Sequence, residues 1–96
     1  AVDSFAIKNM ADDRSRRICK SIKENRLDHA VREIRSVLRA PGLENPVFRK
    51  ELQQYFSIAF MELCDISISE ETNDRLRKKV ELDYYTPIFE CTMNHT

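Results

Sequence analysis

The chain has 96 residues, of which 42% are hydrophobic and 33% charged, and its 16 basic and 16 acidic side chains cancel to a formal net charge of zero. That length suits a single domain with one core, and the composition excludes the low-hydrophobicity, high-net-charge regime of disordered chains. One glycine in the whole chain, Gly42, argues against the turn-dense strand architectures that need positive φ at many hairpins, so an all-α fold is expected.

The opening, Asp3-Ser4-Phe5-Ala6-Ile7, offers N-caps followed by apolar residues, with Met10 and Ala11 continuing the series, and reads as a helix or helical arm. A firmer helix is predicted from Asp12 to about Glu24, where Ile18, Cys19 and Ile22 form a narrow stripe and the acidic pair Asp12-Asp13 sits at the expected helix start. Asn25 and Arg26 then make a tight reversal, Leu27 plugs it, and Asp28 is placed to cap the next helix.

Residues 29–40 carry Ala30, Val31, Ile34, Val37 and Leu38 at the spacing of one helical face, with Arg32, Arg35 and Arg39 stacked along another. Pro41-Gly42 ends that helix, and Asn45-Pro46 starts the next as cap and first residue. From Val47 to Leu63 apolar residues cover more than half of the circumference, which predicts a central helix packed on two sides. Residues 65–69 break the period and read as a loop with its isoleucines turned inward. The last long helix begins at Ser67 or Ser69, with Glu70-Glu71 in its first turn and Leu76, Val80 and Tyr84 as a thin apolar stripe. Thr86-Pro87 can cap a short terminal helix carrying Ile88, Phe89 and Cys91.

Short joints between amphipathic helices predict a single-domain antiparallel bundle of four to five helices spanning 1–96, equivalent to stacked helical hairpins. No internal repeat of fixed period is present. The run Arg26-Leu27-Asp28-His29-Ala30-Val31 resembles the helical hairpins of tetratricopeptide and C-terminal-to-LisH modules over about one quarter of the chain, without the first-helix signature of either; no family is assigned from it. The chain opens on Ala1 rather than Met, so we expect a fragment of a longer protein. It contains neither an apolar run long enough to span a membrane nor a signal peptide.

Cys19, Cys64 and Cys91 are widely spaced, without a CxxC or a histidine placed to complete a zinc set. They are expected to pack as small apolar residues in a reducing compartment, which makes the protein intracellular, cytoplasmic or nuclear. Asn94-His95-Thr96 matches the N-glycosylation pattern, a short and common one that the cysteine reading opposes.

Catalysis needs converging groups. The sequence has no glycine-rich phosphate loop, nucleophile elbow, HExxH or calcium loop. His29 beside Asp28 reads as a solvated helix-start histidine, because adjacent residues on a helix point apart. The carboxylate pairs Asp12-Asp13 and Glu70-Glu71 are accounted for by the helix dipole. No enzyme, cofactor, metal or small-molecule substrate is expected.

Two features point to a partner. Residues 1–50 hold twelve basic against seven acidic side chains, and residues 51–96 hold four against nine. Arg14, Arg16, Arg17, Lys20 and Lys23 on one helix, with Arg32, Arg35 and Arg39 on the next, make a continuous positive face if their solvent sides adjoin, suited to RNA or DNA phosphates, an acidic protein or plain solvation. The second feature is an apolar surplus. Tyr55, Phe60, Tyr84, Tyr85, Ile88 and Phe89 either close one well-filled core or supply the anchors of a groove or dimer seam. The function expected first is a helical protein–protein interaction module, an adaptor, scaffold or self-associating domain of a regulatory protein. The alternative is a nucleic-acid-associated domain using the basic 14–39 face.

Overall fold

A stripe at three- and four-residue spacing, Ile7, Ala11, Ser15, Ile18 and Cys19, is buried along one side of a single unbroken helix. The computed structural model describes residues 3–63, 68–85, 88 and 89. Its helices are α1 (Ser4–Lys23), α2 (Leu27–Leu38), α3 (Pro46–Leu63) and α4 (Glu70–Val80), and no strand occurs among the described residues.

The expected arm and first helix are thus one element, α1. Asp3 caps it, accepting from the N–H groups of Phe5 at 3.1 Å and Ala6 at 3.2 Å. Asp12 and Asp13 lie inside this helix rather than at its start, where they pair with Lys8 at 3.0 Å and Arg17 at 3.4 Å. The reversal at Asn25 is as expected, with a positive φ of 57° that asparagine tolerates better than most residues. Asp28 does not cap α2; the cap is Arg26, which makes no side-chain hydrogen bond, and Asp28 sits in the first turn. Asn45 accepts from Val47 N–H at 2.9 Å with Pro46 as the first residue of α3, and Ser69 accepts from Thr72 N–H at 3.1 Å to cap α4.

Helix α1 packs against both α2 and α3, and α2 packs against α4. Small residues allow these close approaches: Ala11, Ser15, Ala30 and Ala59 are all buried. Buried apolar residues from all four helices form one contiguous cluster, joined by Leu43, Ile68, Tyr85, Ile88 and Phe89 from the connecting and terminal segments. The radius of gyration is 12.3 Å, close to the roughly 12–13 Å of a compact chain of this length.

The terminal segment closes this core. Phe89 meets Phe56 of α3 at 4.9 Å between ring centroids and Tyr85 at 5.9 Å, while the Tyr85 hydroxyl donates to Asn73 Oδ1 of α4 at 2.5 Å. Each buried ring stabilises the fold by roughly 1.5–3 kcal/mol relative to exposure. Helix α4 ends at Val80 instead of running on to Tyr84, and Glu81 takes the left-handed conformation. Of the expected terminal helix only Ile88 and Phe89 are described, and the Ile88 N–H bonds Tyr84 O at 3.2 Å. Thr86, Pro87 and Cys91 lie outside the described residues, as do Ile66 and Ser67.

Cys19 is buried and disulfide-bonded. This corrects the reading of Cys19 as an unpaired packing residue, and it removes the ground on which a reducing compartment is expected. Cys64, Cys91 and the Asn94-His95-Thr96 pattern lie outside the described residues.

Candidate functional site

Helix α3 is not the two-sided central helix that its composition predicts. Leu52, Phe56, Ala59 and Phe60 are buried on one side. At 3.6 residues per turn, Val47, Gln54, Ile58 and Met61 fall within about 60° of one another on the opposite side. Val47, Met61 and Ile58 are 71%, 69% and 48% exposed. Among the described residues they belong to no internal packing that would explain large apolar groups at these positions.

A shallow groove of about 570 Å³ runs along this face, walled by Pro46, Val47, Tyr55 and Ile58 with Lys50, Glu51 and Gln54 between them. The Ser4 hydroxyl donates to Glu51, which fixes the start of α1 beside the groove, and the neighbouring Phe5 is 72% exposed.

Of the six apolar residues singled out in the sequence, Phe60, Tyr85, Ile88 and Phe89 are buried within this chain's own core. They are not surface anchors, because the terminal segment folds back onto α3 and α4. Tyr84 is half-buried with its ring beneath Arg49, whose guanidinium carbon lies 4.9 Å from the ring centroid. Tyr55 alone of the six lines the outward groove. The residues that sequence reasoning missed as surface candidates are Val47, Ile58 and Met61. Their signal is present, as apolar groups diametrically opposite the core stripe, but composition alone assigns that surplus to burial on both sides.

The basic residues divide differently from the expected continuous face. On α2, Arg32, Arg35, Arg39 and Asp28 share one flank within about 60°, and that flank faces α4: Arg35 donates to the carbonyls of Lys79 and Val80, and Lys79 reaches Asp28 at 3.5 Å. The other flank carries Glu33, paired at 2.6 Å with Arg14 of α1. An acidic residue therefore lies where the two basic stripes would have joined. Arg16, Lys20, Lys23, Arg32 and Arg39 are exposed, and none has an ion pair among the described residues. Arg17 is held by Asp13.

On α4, Lys78 bonds Asp74 at 3.0 Å and Arg77 also pairs with it. The hydrogen bond from Lys78, reinforced by the charges of Lys78 and Arg77, holds the Asp74 carboxyl below its ordinary value. Arg75 and Lys79 turn instead to a cleft shared with Arg26 and His29. His29 is exposed there. Among the described residues no group of three His, Cys, Asp or Glu side chains is placed to hold a metal ion, and no helix is long and apolar enough to cross a membrane.

These features define an all-helical protein with an apolar helix face that no described residue covers and a separate basic flank. No protein-family model, curated protein or solved structure matches the chain.

Proposed function

We propose that this chain is a non-enzymatic helical protein–protein interaction module that associates with a second copy of itself through the outward face of α3. The observation that carries the reading is the stripe Val47–Gln54–Ile58–Met61, opposite the core, with large apolar groups exposed at both ends.

Two copies of this stripe are self-complementary when the helices cross antiparallel. Gln54 lies midway between Val47 and Met61, so a two-fold axis at Gln54 sets Val47 of each copy opposite Met61 of the other. The two Gln54 amides then meet, and each can donate and accept, so neither is left without a partner. Lys50 falls opposite Ile58, where its methylene stem can cover the isoleucine while the ammonium stays in water. The stripe runs from Val47 to Met61, fourteen residue steps or about 21 Å of helix, which places the contact at the small end of specific interfaces and makes a reversible dimer the expected form.

The scaffold we read beneath this face is an antiparallel four- to five-helix bundle. The three-residue joint between α1 and α2 and the core shared by all four helices support it. The disulfide at Cys19 favours an oxidising compartment over the intracellular one that the sequence suggested. Nucleic acid bound across the 14–39 face draws less support, since Glu33 divides that face.

Light scattering over a dilution series tests the proposal. A concentration-dependent rise from monomer towards dimer mass is expected, abolished by Met61→Glu with helix content unchanged. A chain that stays monomeric at every concentration would rule out self-association and turn the α3 face over to a different protein.

A further inference from the structure

The strongest charged feature of the described surface lies away from α3, between α2 and the C-terminal half of α4. A groove of about 780 Å³ is lined by Asp28, Arg32, Arg35, Ser36 and Arg39, with Val31 at its floor. A second cleft of about 400 Å³ shares Asp28 and adds Arg26, His29, Arg75 and Lys79. Asp28 is the one carboxylate lining either of them, and Lys79 engages it at 3.5 Å.

The charge balance of this strip is one-sided. Arg32, Arg39 and Arg75 are exposed with no ion pair among the described residues. Arg35 is bonded to two carbonyls at the end of α4, at 2.6 and 3.2 Å, so it is fixed in place, and no carboxylate pairs with it among the described residues. Arg26 has a distant partner in Glu24 at 3.8 Å. Glu81 follows the end of α4 but is exposed, and no described ion pair includes it. A fixed guanidinium flanked by two exposed ones a turn away on either side, with the Ser36 hydroxyl among them, suits successive tetrahedral oxyanions, each taken by planar N–H forks.

The geometry points to a binding site for a linear sulfated polysaccharide along α2 and the end of α4, with sulfate esters seated against Arg32, Arg35 and Arg39 and the chain continuing over Arg75. Two observations favour this over a nucleic acid. No phenylalanine, tyrosine or tryptophan lines either groove, and the one ring present, His29, lies in the second cleft away from Arg32, Arg35 and Arg39, so successive unstacked bases would lack a stacking platform. The disulfide at Cys19 fits the oxidising compartments in which sulfated glycans are met. The site is independent of the α3 face and does not rest on self-association.

Titration of the disulfide-bonded chain with a heparin-derived oligosaccharide, at low salt and then in steps of rising salt, tests the assignment. Binding that weakens steadily with salt is expected. The triple reversal R32E/R39E/R75E lowers affinity by at least about tenfold, and R39Q alone gives a smaller loss in the same direction. The equal charge change R16E/K20E/K23E on α1 leaves most of the affinity intact. Melting curves run alongside confirm that each variant is folded. Three results would overturn the site: no binding at low salt, an equal loss in the α1 variant, or duplex DNA of matched charge binding as tightly as the oligosaccharide.

Discussion

Arg35 and Val80 are joined across 45 positions of sequence: the Arg35 Nε donates to the Val80 carbonyl at 3.2 Å, and its Nη2 to that of Lys79 at 2.6 Å. Were α4 to continue, those carbonyls would accept from the N–H groups of Asp83 and Tyr84. Arg35 takes their place, satisfies two of the orphan acceptors of the helix end, and sets a positive charge at the negative pole of the dipole. The stop of α4 at Val80 is therefore written on α2, far away in sequence. It lets the chain turn and carry Tyr85 and Phe89 back over the core.

Replacing Arg35 by Met is expected to lower stability by about 1–2 kcal/mol, because two carbonyl bonds, one of them part-buried, are lost together. Arg35→Lys should recover only part of this, since an ammonium cannot span two carbonyls as a fork does. Urea unfolding of the three chains is the measurement, and an unchanged midpoint in the Met variant would remove the clasp from the account.

Glu81 holds the left-handed conformation with φ 54°, which at helix ends is taken most often by glycine. Glu81→Gly should raise stability by about 0.5–1 kcal/mol, relief of the side-chain strain outweighing the added freedom of the unfolded chain. Glu81→Ala should give no gain. Thermal melts of the pair separate backbone conformation from the loss of a surface charge.

The closure by the terminal segment is tested at two levels. Tyr85→Phe removes the hydroxyl bond to Asn73 and should cost about 1 kcal/mol. Phe89→Ala empties space against Phe56 and Tyr85 and should cost about 3–5 kcal/mol. Near-equal effects would mean that the ring of Phe89 is not a core element.

Reduction should destabilise the protein by about 2–5 kcal/mol if the bond at Cys19 constrains the unfolded chain as disulfides of small domains do. The melting temperature of the parent falls on adding reductant, while that of Cys19→Ala starts low and does not respond. A parent indifferent to reductant would contradict the oxidising-compartment reading.

Helix type and register were legible in the sequence wherever one strong apolar stripe met a clear cap. The α2 stripe from Ala30 to Leu38, Asn45-Pro46 at the start of α3, and Ser69 before Glu70-Glu71 are local signals, and all three stand in the structure. The misses were of another kind. Ala11 and Ser15 extend the α1 stripe with small side chains that carry little hydrophobic signal, so α1 read as two pieces. The end of α4 depends on Arg35, which no local window contains. For α3, composition gave the amount of apolar surface but not how many neighbours would cover it. Among the described residues α1, Tyr85 and Phe89 cover one side only, which leaves Val47, Ile58 and Met61 outside. The basic stripe of α2 was visible as a stripe, whereas the helix it faces was not.

The most direct test of the proposed α3 contact is a charge exchange across its two-fold axis. Val47→Lys and Met61→Glu, each alone, should reduce the chain to monomers in sedimentation velocity, since each buries charge against an apolar partner. The double variant V47K/M61E should recover the dimer, because the new ammonium of one copy then faces the new carboxylate of the other. A double variant as monomeric as the single ones would contradict the antiparallel α3 pairing, and single variants that dimerise like the parent would contradict any role for this face.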